Sequence, residues 1–121
     1  MSRTVVIVDD HASFRAVARR LLELEGFDVV GEAPDGETGV ALARRLEPDL
    51  VLLDVNLPDM DGVTVADALC RDAPAPAVVL VSTVERAALG GRVEASGARG
   101  FLPKAELGSP RLLELLGPPG G

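Results

Sequence analysis

Apolar residues along this chain fall into short, nearly unbroken runs separated by longer amphipathic stretches. The runs at 4–8 (TVVIV), 50–53 (LVLL) and 77–81 (AVVLV) are rich in Val, Ile and Leu, as expected of parallel strands covered on both faces. Weaker strand patterns occupy 28–33 (DVVGEA) and 100–103 (GFLP). Between the runs the period lengthens to that of a helix. Phe14, Val17, Ala18, Leu21 and Leu22 form an i, i+3, i+4, i+7, i+8 stripe that Gly26 would end. A second helix is expected to have Asp35 as its N-cap, to turn Val40, Ala43 and Leu46 inward and to stop before Pro48. A third covers about 62–71, a fourth about 85–96 and a fifth about 110–116, where Ser109 would cap and Pro110 would take the first helical position.

Strand and helix thus alternate five times, which predicts an α/β fold: a doubly wound, five-stranded parallel sheet with right-handed crossovers and five helices on both faces. In such sheets ligands bind at the carboxyl ends of the strands, near the switch in strand order. A chain of 121 residues fits one domain with one core. Residues 1–116 make up that domain, and the terminal GPPGG of 117–121 reads as a disordered tail or the start of a linker.

Composition narrows the choice of partner. Apolar residues make up 47% and charged residues 26%, a globular balance rather than a disordered one. The net charge of -7 argues against direct nucleic-acid binding, which needs clustered Lys and Arg. No run approaches the roughly 18 apolar residues of a membrane span, so no membrane association and a cytoplasmic location are expected. The single cysteine, Cys70, forms no internal disulfide and reads as a core or helix-surface residue.

The chemistry gathers at the predicted strand ends. The segment LVLLDVNLPDMDG delivers Asp54 from an apolar run to a loop marked by Pro58 and Gly62; Asp9 and Asp10 follow the first strand, Ser82 the fourth and Lys104 the fifth. Three carboxylates within about 5 Å would repel by roughly 3 kcal/mol per pair at an effective dielectric near 20. A hard divalent cation, Mg²⁺ above all, offsets that repulsion. Lys104 is the one lysine of the chain, every other basic residue being Arg, which marks a compact point charge. Ser82 taken alone reads as a helix cap, and His11 as a solvent-facing loop residue, since one His without Cys or His partners makes no transition-metal site.

Together these residues resemble the receiver domain of bacterial two-component response regulators. The likeness spans essentially the whole chain, and the combination of DVNLPDMDG with the acid pair and Lys104 is highly specific. The strings DDHASFR and GARGFLPKAEL look most like receivers of the subfamily that usually carries a C-terminal helix-turn-helix. The resemblance implies a flavodoxin-like strand order 2-1-3-4-5. It implies that Asp54 accepts a phosphoryl group from a histidine kinase, a phosphotransfer protein or a small acyl phosphate. It further implies that Asp10, Asp54 and the backbone carbonyl of Asn56 ligate Mg²⁺, with Asp9 acting through a water, and that Lys104 contacts the phosphoryl oxygens. Ser82 and Phe101 are the implied switch residues, Ser82 reorienting toward the phosphoryl group as Phe101 moves inward. The implied output face, for a downstream target or a homodimer, is the fourth helix, fifth strand and fifth helix.

Three features depart from the family pattern. Thr83 is larger than the small residue often found beside the phosphoryl group, which predicts slow dephosphorylation. Ala105 stands where many receivers have Pro, leaving the isomer of the Lys104–Ala105 bond open. Gly90 and Gly91 weaken the fourth helix by roughly 1 kcal/mol each relative to Ala. Other functions fit less well. A haloacid-dehalogenase-type phosphohydrolase would have Asp two residues after its nucleophile, where this chain has Asn56, so an enzyme with turnover is not expected. A phosphorylation-independent binding or dimerisation module leaves the acid constellation without a role, and a flavin site lacks Trp and Tyr.

Overall fold

The computed structural model describes residues 3–83 and 96–117. Five strands, β1 (Thr4–Val8), β2 (Asp28–Ala33), β3 (Leu50–Asp54), β4 (Ala77–Ser82) and β5 (Gly100–Pro103), form one sheet in the order β2-β1-β3-β4-β5. All pairings are parallel. This is the expected flavodoxin-like order, and it places β1 and β3 side by side where the winding reverses. Because successive side chains of a strand point to opposite faces, each strand feeds two cores. Val6, Val8, Val51, Leu53, Leu80 and Phe101 pack on one face, while Val5, Ile7, Leu50, Leu52, Val81 and Leu102 pack on the other.

Helices cover both faces. α1 (Ala12–Leu24) and the C-terminal helix (Arg111–Leu116) lie on the Ile7 side; α2 (Gly36–Leu46) and α3 (Gly62–Cys70) lie on the Val8 side. Four α-helices are therefore seen among the described residues, and the helix expected over 85–96, with Gly90 and Gly91, lies outside them, as do residues 118–121. α1 ends as expected, with Gly26 at φ 92°, a conformation that costs a Cβ-bearing residue energy. The Asp35 carboxylate accepts from the Thr38 amide at 2.7 Å and starts α2, which stops at Leu46, two residues before Pro48.

Some expectations need correction. Val17 is 55% exposed. It lies about 100–140° around the helix from Ala18 and Leu22 at 100° per residue, and those two centre an arc narrower than the apolar stripe. Leu46 is 37% exposed because β2 is the sheet edge: the side chain caps Gly31, 3.2 Å from where a Cβ would stand, with no further strand outside it. The C-terminal helix starts at Arg111 rather than Pro110. The Ser109 hydroxyl donates to the Glu106 carbonyl at 2.6 Å and accepts from the Arg111 amide at 3.4 Å, so it ties the preceding turn as much as it caps. Lys104–Ala105 is trans, the cis bond among the described residues being Ala73–Pro74. Cys70 closes α3, half-buried beneath Gly97, in the structural role expected of it.

Candidate functional site

β1, β3, β4 and β5 end at the same edge, and the sheet register decides which side chains meet there. Asp54 is the last residue of β3 and pairs with Val81; Ser82 is the last residue of β4 and pairs with Pro103, directly before Lys104. Asp9 follows β1 and its amide donates to the Ala33 carbonyl at 3.0 Å, which keeps the chain extended past the strand end. Asp9, Asp54 and Ser82 are all buried, whereas Asp10 turns outward.

Lys104 joins the two buried acids. Its Nζ lies 2.7 Å from Asp9 Oδ2 and 3.4 Å from Asp54 Oδ2. The first contact is an ion pair without hydrogen-bond alignment, and Asp9 Oδ2 has no hydrogen-bond partner among the described residues. The other oxygens are held by the backbone, Asp9 Oδ1 by the His11 amide at 2.8 Å and Asp54 Oδ1 by the Asn56 amide at 3.2 Å. Burial is the largest influence on Asp54 and pushes its carboxyl above the ordinary range. The Asn56 amide opposes that shift, the Asp9 charge adds to it, and Lys104 opposes it. With three carboxylates facing one ammonium, the cluster retains negative charge.

The loop after β3 is pinned close to the site. The Gly62 amide donates to the Val55 carbonyl at 2.7 Å, and a Cβ at Gly62 would fall 2.1 Å from the Asp54 carbonyl oxygen. No side chain fits there. Asp61 then caps α3 by accepting from the Val63 amide at 2.8 Å. Phe101 is buried on the α2/α3 face, opposite Leu102 and beside Leu80, so its ring is already inward here. Thr83, next to Ser82, is exposed.

The expected acids and lysine are thus brought together, while three neighbours escaped the sequence reading. His11 is 64% exposed, yet its Nδ1 lies 3.2 Å from Asp9 Oδ1 and 3.1 Å from Asp10 Oδ1. The Phe14 ring, expected only as core, carries Lys104 Nζ at 4.4 Å from its centroid, a favourable cation–π contact. Arg15 Nη1 donates to the Asp9 carbonyl at 2.6 Å, and its Nε to Glu32 at 3.2 Å. A signal for Arg15 was present: a cation in the first turns of a helix opposes the macrodipole unless acids stand nearby.

Ligand atoms of Asp9, Asp10, His11 and Asp54 all lie within 4.8 Å of one another. The buried Asp9 oxygen, ion-paired to Lys104 without an aligned hydrogen bond, and the two further carboxylates form a hard oxygen donor set, which fits Mg²⁺.

A profile of the response regulator receiver domain matches residues 5–116. The chain is 40% identical to the response regulator GacA of Pseudomonas aeruginosa over 83% of this chain and 47% of that one. It is 41% identical to the transcription regulator BvgA of Bordetella pertussis over 88% of this chain and 51% of that protein. It therefore spans about half the length of these curated relatives. Among solved structures, the signal receiver domain of the response regulator NarL from Mycobacterium tuberculosis superimposes with a TM-score of 0.83 at 36% identity, covering 97% of this chain and 98% of that domain.

Proposed function

This chain belongs to the response regulator receiver domain family of two-component signalling, and from that premise we propose that Asp54 is its phosphoacceptor. The observation that carries the assignment is the Asp54 carboxylate at the end of β3, buried and bridged through Lys104 to Asp9. A carboxylate oxygen of Asp54 forms the new O–P bond. The P–N bond of a phosphohistidine, or the P–O bond of an acyl phosphate, breaks, and the imidazole or carboxylate departs with the bonding pair. Attack requires the ionised acid, which the Asn56 amide and Lys104 favour against burial. The same ammonium can contact the phosphoryl oxygens, a positioning and charge-offsetting role.

Asp10, Asp54 and the Asn56 carbonyl would hold Mg²⁺, with Asp9 acting through a water. Bound there, Mg²⁺ supplies positive charge that offsets the equatorial phosphoryl oxygens. Ser82, on the strand next to Asp54, is the hydroxyl that turns toward the phosphoryl group, and Phe101, on the next strand, couples that turn to the surface. Thr83 narrows the approach for water and slows hydrolysis. The protein acts as a switch without turnover, with a cytoplasmic histidine kinase or phosphotransfer protein as donor. Its output face comprises β5, the C-terminal helix and the segment expected to be the fourth helix, the last lying outside the described residues.

A second reading follows from coverage: relatives of about twice this length include a transcription regulator, so this receiver can be one part of a DNA-binding regulator. The full open reading frame decides that point. Intact mass spectrometry after incubation with acetyl phosphate and Mg²⁺ tests the central proposal. One phosphoryl increment is expected, removable by hydroxylamine and absent from Asp54→Ala. The same increment on Asp54→Ala would move the nucleophile elsewhere, and an unmodified wild type would leave a binding or dimerisation module.

A further inference from the structure

His11 stands at the start of α1 as its N-cap residue, and its amide is held at 2.8 Å by Asp9 Oδ1. The ring therefore swings from an anchored backbone. Its Nδ1 already lies 3.1 Å from Asp10 Oδ1 and 3.2 Å from Asp9 Oδ1. Two donors that share one ion at about 2.1 Å stand about 3.0 Å apart when they meet it at right angles. The imidazole nitrogen thus stands at the spacing of a co-ligand from Asp10, the acid proposed to meet the ion directly, and within hydrogen-bond distance of Asp9. Asp9 Oδ2 is fully buried with Lys104 Nζ at 2.7 Å, and this one ammonium meets a cluster of three carboxylates, so negative charge remains for a cation to offset. The His11 side chain is 64% exposed, so most of it faces solvent.

We infer that His11 is a nitrogen ligand of this site, which makes it a site for imidazole-binding divalent transition ions such as Co²⁺, Ni²⁺ or Zn²⁺ as well as for Mg²⁺. Mg²⁺ takes oxygen donors and keeps its waters, so the imidazole adds little to it; borderline-soft ions gain directly from nitrogen. The site then holds two classes of ion through overlapping acids and distinguishes them by one side chain. This inference rests on the metal reading proposed above and adds His11 to it.

The measurement is the affinity of untagged protein for Mg²⁺ and for Ni²⁺ by titration calorimetry, in wild type, His11→Gln and Asp10→Asn. His11 is the one histidine of the chain, so its ¹⁵N ring resonances report without ambiguity. Expected is a loss of Ni²⁺ affinity in His11→Gln of at least the roughly ten-fold that even an outer-shell partner of a ligand contributes, with Mg²⁺ affinity unchanged within about two-fold. Asp10→Asn weakens both ions, and diamagnetic Zn²⁺, not Mg²⁺, shifts Nδ1. Equal Ni²⁺ affinity in wild type and His11→Gln overturns the inference, as does an equal loss for both ions, which would make His11 an orienting group only. Ni²⁺ binding that needs His11 but ignores Asp10→Asn places the ion elsewhere and also overturns it. Absent Mg²⁺ binding with His11-dependent Ni²⁺ binding would instead leave the inference standing and remove Mg²⁺ from the proposed function.

Discussion

Two sets of aspartates occupy the same edge of the sheet and meet opposite fates. Asp59, in the loop after β3, accepts from the Gly36 and Glu37 amides at 2.8 and 2.9 Å. Those bonds, Gly36 first, hold its carboxyl below the ordinary range. Asp35 and Asp61 likewise accept helix-start amides, so all three are structural anchors, Asp59 and Asp61 in the loop that directly follows Asp54. Five residues before Asp59, Asp54 is buried with one amide and a longer contact to Lys104, and its carboxyl is pushed up. The residue type does not separate the sets. What separates them is whether the backbone supplies donors in proportion to the charge removed from water.

Lys104 should break this contrast most strongly. Lys104→Ala leaves Asp9 and Asp54 buried without a cation, and removing one partner of a buried pair costs about 3–5 kcal/mol. We expect a marked fall in metal-free melting temperature together with a fall in the Asp54 phosphorylation rate of about 10²-fold or more. Thermal unfolding and phosphotransfer kinetics measure the two effects. A variant that melts like wild type would mean that Lys104 does not balance the buried acids.

Asp54→Asn and Asp9→Asn should move metal-free stability in opposite directions. Asp54→Asn removes a charge whose burial outweighs its partners, so the melting temperature rises by a few degrees. Asp9→Asn removes the closer partner of Lys104, 2.7 Å away, and the melting temperature falls. Repulsion among three acids, taken by itself, predicts a rise for either substitution; the position of Lys104 reverses that expectation for Asp9. A rise in both would show that the lysine does not favour Asp9.

Asp59→Asn should lower the melting temperature by less than Lys104→Ala and leave the phosphorylation rate within about two-fold, because a lost helix-start acceptor is a local defect. A large loss of phosphorylation would make Asp59 part of the site rather than its anchor.

Acid pH supplies the smallest test and a signed one. The folded-state carboxyl of Asp54 is raised, so the folded protein binds its proton more tightly than the unfolded chain does. Its destabilising effect is present at neutral pH and fades as pH falls through the raised value toward about 4, the ordinary Asp value. The Asp59 carboxyl is lowered, so its stabilising effect is full above about pH 4 and is lost only as pH falls below that. The gap in melting temperature between wild type and Asp54→Asn should therefore close at higher pH than the gap between wild type and Asp59→Asn. The reverse order would exchange the roles of the two acids.

Periodicity along the chain was enough to determine the five strands, the described helices and the parallel architecture, because parallel strands and amphipathic helices each carry their own repeat. Asp9, Asp10, Asp54, Ser82 and Lys104 were legible as strand-end residues for the same reason. Local pattern could not say that Val17 would face water or that Leu46 would overhang an edge, since both depend on which strand lies outermost and how wide an arc of helix it covers. Nor could it say that Lys104 would sit closer to Asp9 than to Asp54, over the Phe14 ring, with Arg15 on the Asp9 carbonyl and His11 between two acids. Those contacts join residues up to 95 positions apart in the chain. The register of β1, β3 and β5 and the entry of α1 set them, and distance and burial in three dimensions, not residue type, decide which carboxylates are satisfied and which remain available for chemistry.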